Sequence, residues 1–234
     1  MSSSSPRNRL LAALPPEDLD LLRPSLAPVV LNRGDVLVEP DQPIQHVYFI
    51  EEGITSIVAN TADGRRIEVG LCGRDGIAGV PVLLGADRTP HETFMQVGGS
   101  ALRIEVEPLR EAIRRSPTLH GLLLRYVQAF TIQTGQTALS NGSYRIEERL
   151  ARWLLMCHDR LDGAELPLTH EFIAIMLGVR RPGVTQALQV LEGERIIRGG
   201  RGKITVLDRA KLEQTAGTSY GVPEAEYRRL IGPL

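Results

Sequence analysis

Cysteine is almost missing from this chain: Cys72 and Cys157 are the only two among 234 residues, and they stand far apart. An iron–sulfur cluster needs about four thiolates, so that chemistry is excluded. There is no run of about 18 apolar residues and no apolar stretch behind the Ser-rich start, which argues against a membrane span or an export signal and for a cytoplasmic protein. Aromatics make up 4% of the residues, with Trp153 the single tryptophan, read as core. Histidines are five, and no two of His46, His91, His120, His158 or Cys72 have a metal-ligand spacing. No metal or other cofactor is predicted. The chain also lacks a strong net charge: at −1 it is not a polycation, so any contact with nucleic acid must come from a local patch.

What is present is an ordinary globular composition, 42% hydrophobic and 24% charged, in a length that suits two modest domains. MSSSSPR and the next two residues (1–9) read as a disordered tail. A short helix with Leu10, Leu11 and Leu14 follows, then a second with Leu19 and Leu22 after Pro15-Pro16. From about Val29 to Val106 the texture is one of short β-branched runs (VVL, DVLV, HVYFI, TSIVAN, RRIEVGL, ALRIEV) broken by glycines. Such spacing predicts an antiparallel barrel or sandwich, and Asp63-Gly64 predicts a type I′ hairpin.

After Glu107-Pro108 the pattern turns helical. Leu119, Leu122, Tyr126, Ala129, Gln133 and Gln136 recur at three- and four-residue steps, and the Gln/Thr-rich lower end suits pairing with a symmetry mate. Leu119, Leu122, Tyr126, Ala129 and Gln133 are therefore the candidate dimerisation residues. Asn141-Gly142-Ser143 reads as a break before a second domain. There Ile146, Leu150, Trp153, Leu154 and Cys157 make one helix face, and Thr169 caps the next helix, with Ile173, Met176 and Leu177 inside. Gly178 supplies a sharp turn.

The following segment, LGVRRPGVTQALQVLEGERII, poses a problem in electrostatics. Arg180, Arg181 and Pro182 open an apolar-periodic helix where Ser, Thr, Asp or Asn would stabilise it. A cation at the positive end of a helix dipole costs roughly 0.3 to 1 kcal/mol. An anion arriving from outside explains that arrangement most simply. Val184, Leu188 and Leu191 define the buried side, which leaves Arg181, Pro182, Thr185, Gln186 and Gln189 facing solvent. IIRGGRGKITVL then reads as a basic hairpin around Gly199-Gly200. From Arg180 to Lys203 six cations (Arg180, Arg181, Arg195, Arg198, Arg201, Lys203) oppose two anions (Glu192, Glu194), a local charge of +4.

Helix, glycine turn, helix and hairpin together make a winged helix-turn-helix. Arg181 suits guanine O6 and N7, Gln186 suits adenine N6 and N7, and Thr185 offers a methyl to thymine or a hydroxyl to phosphate. Thr169, Arg180 and Gln189 complete the DNA-facing set on the two helices. On the wing, Arg198, Arg201 and Lys203 contact backbone phosphates.

The stretch LTHEFIAIMLGVRRPGVTQALQVLEGERIIRGGRGKITVLD resembles the DNA-binding domain of the Crp/Fnr family of bacterial transcription regulators. The strands that begin at GDVLVEPDQPIQHVYFIEEG resemble that family's cyclic-nucleotide-binding-type β-roll, and the long helix resembles its dimerisation helix. The resemblance implies an α+β chain: a jelly-roll-like antiparallel β-roll, a dimerisation helix and a winged helix-turn-helix. The expected divisions are 10–116 for the roll, 117–142 for the helix and hinge, 143–208 for DNA binding, and 209–234 for a helical extension. It also implies a homodimer on a pseudo-palindromic operator in double-stranded DNA, with contacts to RNA polymerase and no membrane partner. Arg181 falls on the family's guanine-reading arginine, whereas Pro182 and Gln186 replace the Glu and Arg of well-known members.

Members of the family that bind cyclic nucleotides carry Gly-Glu-x-Gly and then Arg-Ser-Ala. Here Gly79 stands at the Glu position and His91-Glu92-Thr93 at Arg-Ser-Ala, while Arg88 reaches the phosphate position if the gap is placed differently. Gly79, Arg88, His91, Glu92 and Thr93 thus line the candidate effector pocket. A carboxylate where the phosphate should sit predicts no cAMP binding, and the effector stays unassigned. Two other functions compete. One is a small-molecule sensor that acts through protein partners, with the basic helix as docking face. The other is a hydrolase built on Asp75, His91 and Glu92, which lacks a nucleophile beside a base; the chain is read as not an enzyme.

Overall fold

The computed structural model describes residues 5–234. Helices α1 (Arg9–Ala12) and α2 (Pro16–Leu22) lead into strands β1 (Ala27–Leu31), β2 (Val36–Val38), β3 (His46–Asn60), β4 (Arg66–Cys72) and β5 (Ile77–Ala78). Next come α3 (Val80–Leu83), β6 (Glu92–Glu105), α4 (Val106–Arg115) and the long α5 (Pro117–Ser143). The remainder comprises α6 (Ile146–His158), β7 (Glu165–Leu166), α7 (His170–Leu177), α8 (Arg181–Gly193), β8 (Ile197–Gly200), β9 (Lys203–Val206), α9 (Arg209–Ala216) and α10 (Val222–Leu230). Among the described residues no helix is long and apolar enough to cross a membrane.

The first six strands form one antiparallel sheet in the order β1-β6-β3-β4, with β2 on β6 and β5 on β3. Its central strands β3, β4 and β6 are buried over much of their length, whereas edge strand β1 leaves Val30 81% exposed. Leu31, Ile50, Cys72, Met95 and Ala101 pack inside the roll. Val47, Phe49 and Ile77 pack against α1, α2, α4 and α5. Ile54, Val58, Leu71 and Phe94 join a third cluster with Trp153, Ile173 and Leu188 of the helical half. Strands covered on both faces read as continuous apolar runs, which is why period-two alternation is weak in HVYFI and TSIVAN.

Several boundaries differ from the sequence expectation. Of the tail expected over 1–9, residues 1–4 lie outside the described residues, and by residue 8 the chain is anchored: Asn8 is buried, donates to the carbonyls of Ile50 and Gly76, and caps α1. The β3–β4 connection is a hairpin, but not a type I′ turn. It spans residues 61–65, is closed by Thr61 N to Arg65 O at 2.9 Å, and only Gly64 has a positive φ there. Type I′ needs positive φ at both central residues. The break expected at 141–143 falls later, because α5 runs through Ser143 and ends at Tyr144.

The helical half is docked on the sheet by buried polar contacts. Trp153 Nε1 donates to Glu68 Oε1 at 2.8 Å. Arg160 forks onto Asp75 at 3.0 and 2.6 Å, both side chains 4% exposed, and the Tyr227 hydroxyl donates to the Asp75 carbonyl at 2.7 Å. Residues after Asp208 form α9 on α6 and α10 on α5, with Tyr227 reaching the core beside Tyr126.

Candidate nucleic-acid interface

Two consecutive helices and a hairpin carry the residues of interest. Helix α7 begins with a conventional cap, in which Thr169 Oγ1 accepts the Phe172 N–H at 3.4 Å and Glu171 lies in the first turn. It ends on Gly178 at φ +61, a left-handed conformation that favours glycine, and a Cβ there would sit 2.7 Å from Ile67 Cδ1. The chain turns sharply and enters α8 through Arg180. No side chain caps α8 and no acid lies in its first turn. Pro182 stands in the first turn, where its missing N–H leaves nothing unpaired.

Val184, Ala187, Leu188 and Leu191 bury one side of α8. Arg181, Pro182, Gln186 and Gln189 are exposed on the other, with Thr185 half-buried among them, and these five border a shallow open concavity. The Thr185 hydroxyl is already engaged: it donates to Arg181 O at 3.2 Å and lies 3.4 Å from His170 Nδ1. That leaves the methyl as its free group. Spacing along the chain does not single out His170, which sits on the other helix; only the crossing of α7 and α8 brings it to Thr185.

The wing is β8 and β9, joined to β7 in a three-stranded antiparallel sheet of order β7-β9-β8. Its turn is Arg201-Gly202, with Gly202 at φ +73, and not Gly199-Gly200, which pair inside the ladder with Ile204 and Lys203. Arg198 and Arg201 are exposed. Lys203 Nζ holds both oxygens of Glu165 at 2.7 and 2.9 Å on an exposed surface, where such a pair is weak and a phosphate can compete. Glu192 Oε1 accepts the Gly199 N–H at 2.5 Å.

The five residues expected to hold a dimer together do something else. Leu119, Leu122, Tyr126, Ala129 and Gln133 are buried within the protomer. They face the protomer's own core: Tyr126 Oη accepts from Ile77 N at 3.2 Å, and Gln133 Oε1 accepts from Leu71 N at 3.0 Å. A partner cannot reach them. The periodicity is real, but it marks the side of α5 that faces sheet and α10. The opposite stripe, Gly121, Leu124, Gln128, Thr131, Gly135 and Ala138, also steps by three and four and is open, with Leu124 43% and Leu139 50% exposed.

The candidate effector residues divide in the same way. Gly79, at φ +105 before α3, His91 and Thr93 border a cavity of about 190 Å³ whose other walls are mainly Ile57, Ile77, Val80, Pro81 and Phe130. Arg88 and Glu92 are not in its wall. Arg88 is exposed and paired with Asp87 at 3.0 Å, and Glu92 is paired with Arg66. His91 is the one titratable side chain among the described residues of that wall, which holds no carboxylate, lysine or arginine.

Comparison with known proteins gives these elements a lineage. Residues 28–116 match the cyclic nucleotide-binding domain and residues 148–215 the Crp-like helix-turn-helix domain. The global nitrogen regulator of Nostoc sp. is 30% identical over 192 residues, covering 76% of this chain and 85% of that protein. The transcriptional regulator SdrP of Thermus thermophilus is 26% identical over 196 residues, covering 80% of this chain and 93% of SdrP. In fold, FixK2 from Bradyrhizobium japonicum superposes with a TM-score of 0.72 at 19% identity, over 82% of this chain and 98% of FixK2.

Proposed function

The chain belongs to the Crp/Fnr family of transcription regulators, and on that premise we propose that it works as a homodimer on an inverted-repeat operator, with α8 in the major groove. The observation that carries the reading is the N-terminus of α8: uncapped, free of acid in its first turn, and opening onto an exposed face of Arg181, Gln186 and Gln189. A helix that declines its own stabilisation at the end nearest the duplex is suited to an external anion. Arg181 and Gln186 read base edges, Arg180, Arg198, Arg201 and Lys203 hold phosphates, and Thr185 and Pro182 make apolar contact. Thr169, at the start of the helix that crosses the backbone, lies near a phosphate. Labour divides as 10–116 for sensing, 117–142 for pairing and 143–208 for DNA binding, and the DNA-bound dimer contacts RNA polymerase.

The dimer forms through the open stripe of α5, centred on Leu124, Thr131, Gly135 and Leu139. Leu124→Glu therefore yields monomers by sedimentation and lowers the melting temperature only by what dimerisation contributes, a difference that shrinks on dilution, whereas Leu122→Glu lowers it at every protein concentration because it places a charge in the protomer core. The cavity beside Gly79 does not serve cAMP, since no arginine or lysine borders it and a cyclic phosphate would enter without a permanent cation to pair with. Isothermal titration with micromolar cAMP affinity would overturn that part.

Selection of bound DNA from random oligonucleotides, with and without cell extract, tests the whole. It should return an inverted repeat with half-site centres about 34 Å apart, since a two-fold dimer meets successive major grooves on one side of the duplex. Enrichment of a site without dyad symmetry would overturn the dimeric reading, and no enrichment at all the DNA reading.

A further inference from the structure

Gly199 and Gly200 lie inside a strand, where glycine weakens the ladder and commonly marks a close backbone approach. At Gly199 the approaching group is Glu192. Its Oε1 accepts the Gly199 N–H at 2.5 Å, and a Cβ added to Gly199 would lie 2.5 Å from that same oxygen. Strand β8 is an edge strand, so this N–H points away from the ladder and needs a partner from elsewhere. Glu192 occupies the last turn of α8, where a carboxylate meets the negative end of the helix dipole and a cation would be the stabilising choice. The chain thus places an unfavourable anion, and a glycine that makes room for it, at the junction between α8 and the wing.

We infer that Glu192 is a positioning residue for DNA binding: it fastens the wing to α8, so that Arg198 and Arg201 meet phosphates beside the groove that α8 enters. The inference rests on the reading of α8 as the recognition helix. A carboxylate among cations also repels DNA, and the two effects have opposite signs. If Glu192 acted only by its charge, Glu192→Ala and Glu192→Gln would tighten binding equally. If it positions the wing, Gln keeps an amide oxygen for the Gly199 N–H and Ala does not.

The test is anisotropy of the full-length variants on a labelled duplex of mixed sequence, because phosphate contacts need no particular operator. Glu192→Ala should bind about five- to tenfold more weakly than Glu192→Gln, the size of one missing hydrogen bond to the wing. Its slope of log affinity against log salt should be shallower by about one for every phosphate that the wing no longer neutralises. Gly199→Ala should weaken binding in the wild-type background and cost nothing further in Glu192→Ala, because the group it collides with is then gone. The amide proton resonance of Gly199, read without DNA, should move further upfield in Glu192→Ala, which removes the acceptor, than in Glu192→Gln, which exchanges a charged acceptor for a neutral one. Equal affinities and slopes for Ala and Gln, or additive effects in the double variant, would overturn the inference while leaving DNA binding intact. Absence of salt-dependent duplex binding by the wild-type chain would overturn the proposed function and this inference with it.

Discussion

Helices α7 and α8 are neighbours in sequence, pack on each other, and begin in opposite ways. The first is built for its own stability, with the Thr169 cap, the Glu171 carboxylate in the first turn and the left-handed Gly178 at its end. The second has no cap and no acid, and two arginines open it. Their buried faces are equally apolar, Ile173, Met176 and Leu177 against Val184, Leu188 and Leu191. What separates a helix that supports from a helix that binds thus begins in the first turn, where exposed backbone N–H groups await either a side chain or a ligand, and continues along the exposed Gln186 and Gln189 of α8.

The largest expected effect tests the shared part. Leu188→Ala should lose about 2 to 5 kcal/mol of stability by denaturant unfolding, as would a truncation on the α7 side, because both leave a cavity in one core. A loss near zero would mean that α8 is not packed as described.

The docking of the helical half on the sheet, through Trp153 of α6, has its own pH signature. Burial, the dominant influence, pushes the Glu68 carboxyl up to about 7 despite the bond that Trp153 donates to one of its oxygens. An acid held protonated in the fold but ionised near 4.5 when unfolded makes the unfolded chain the better proton donor. Stability is therefore full below about pH 4.5 and falls as pH rises to about 7, by roughly 3 kcal/mol at 1.36 per unit. Glu68→Gln keeps an acceptor for Trp153 and should raise the melting temperature at pH 8 while changing little at pH 4.5. Parallel pH profiles for the two proteins would refute this account.

Next in size is the contrast itself. Arg181→Ala should cost about 1 to 3 kcal/mol on the preferred operator and flatten the preference at one guanine per half-site, as read by anisotropy on single-base variants. In the free protein the same change removes a cation from a positive helix end, so stability should hold or rise by a few tenths of a kcal/mol. Thr169→Ala should behave in reverse, losing about 1 kcal/mol in thermal melts with base preference unchanged. If the two exchanged behaviour, with Arg181 stabilising the fold and Thr169 setting base preference, the comparison would collapse.

Most of the helical half is legible in the sequence because its signals are local. Apolar spacing in ALQVL, the Thr169 cap and Gly178 each act within a turn or two of chain, and the structure places all three where that spacing puts them. The reading of α5 shows the limit. Leu119, Leu122, Tyr126, Ala129 and Gln133 do share one face, but a face does not carry the identity of what covers it, and here it meets Ile77, Leu71 and α10. Alignment with the family's phosphate cassette likewise groups Arg88 and Glu92 with Gly79, whereas each side chain turns to a neighbouring opposite charge outside the cavity.

By itself, then, the sequence determined the order and type of the elements, the polar face of α8 and its uncapped start, since these follow from periodicity, propensity and charge along a few consecutive residues. Tertiary structure alone decided which side of α5 is open, that Asn8 is tied down, that Glu68 is buried without a full set of partners, and that Glu192 meets Gly199. Each of these depends on residues distant in the chain or on separate elements converging at a single point, and the free energy of such a meeting is settled by burial and close packing, which no window of local sequence contains.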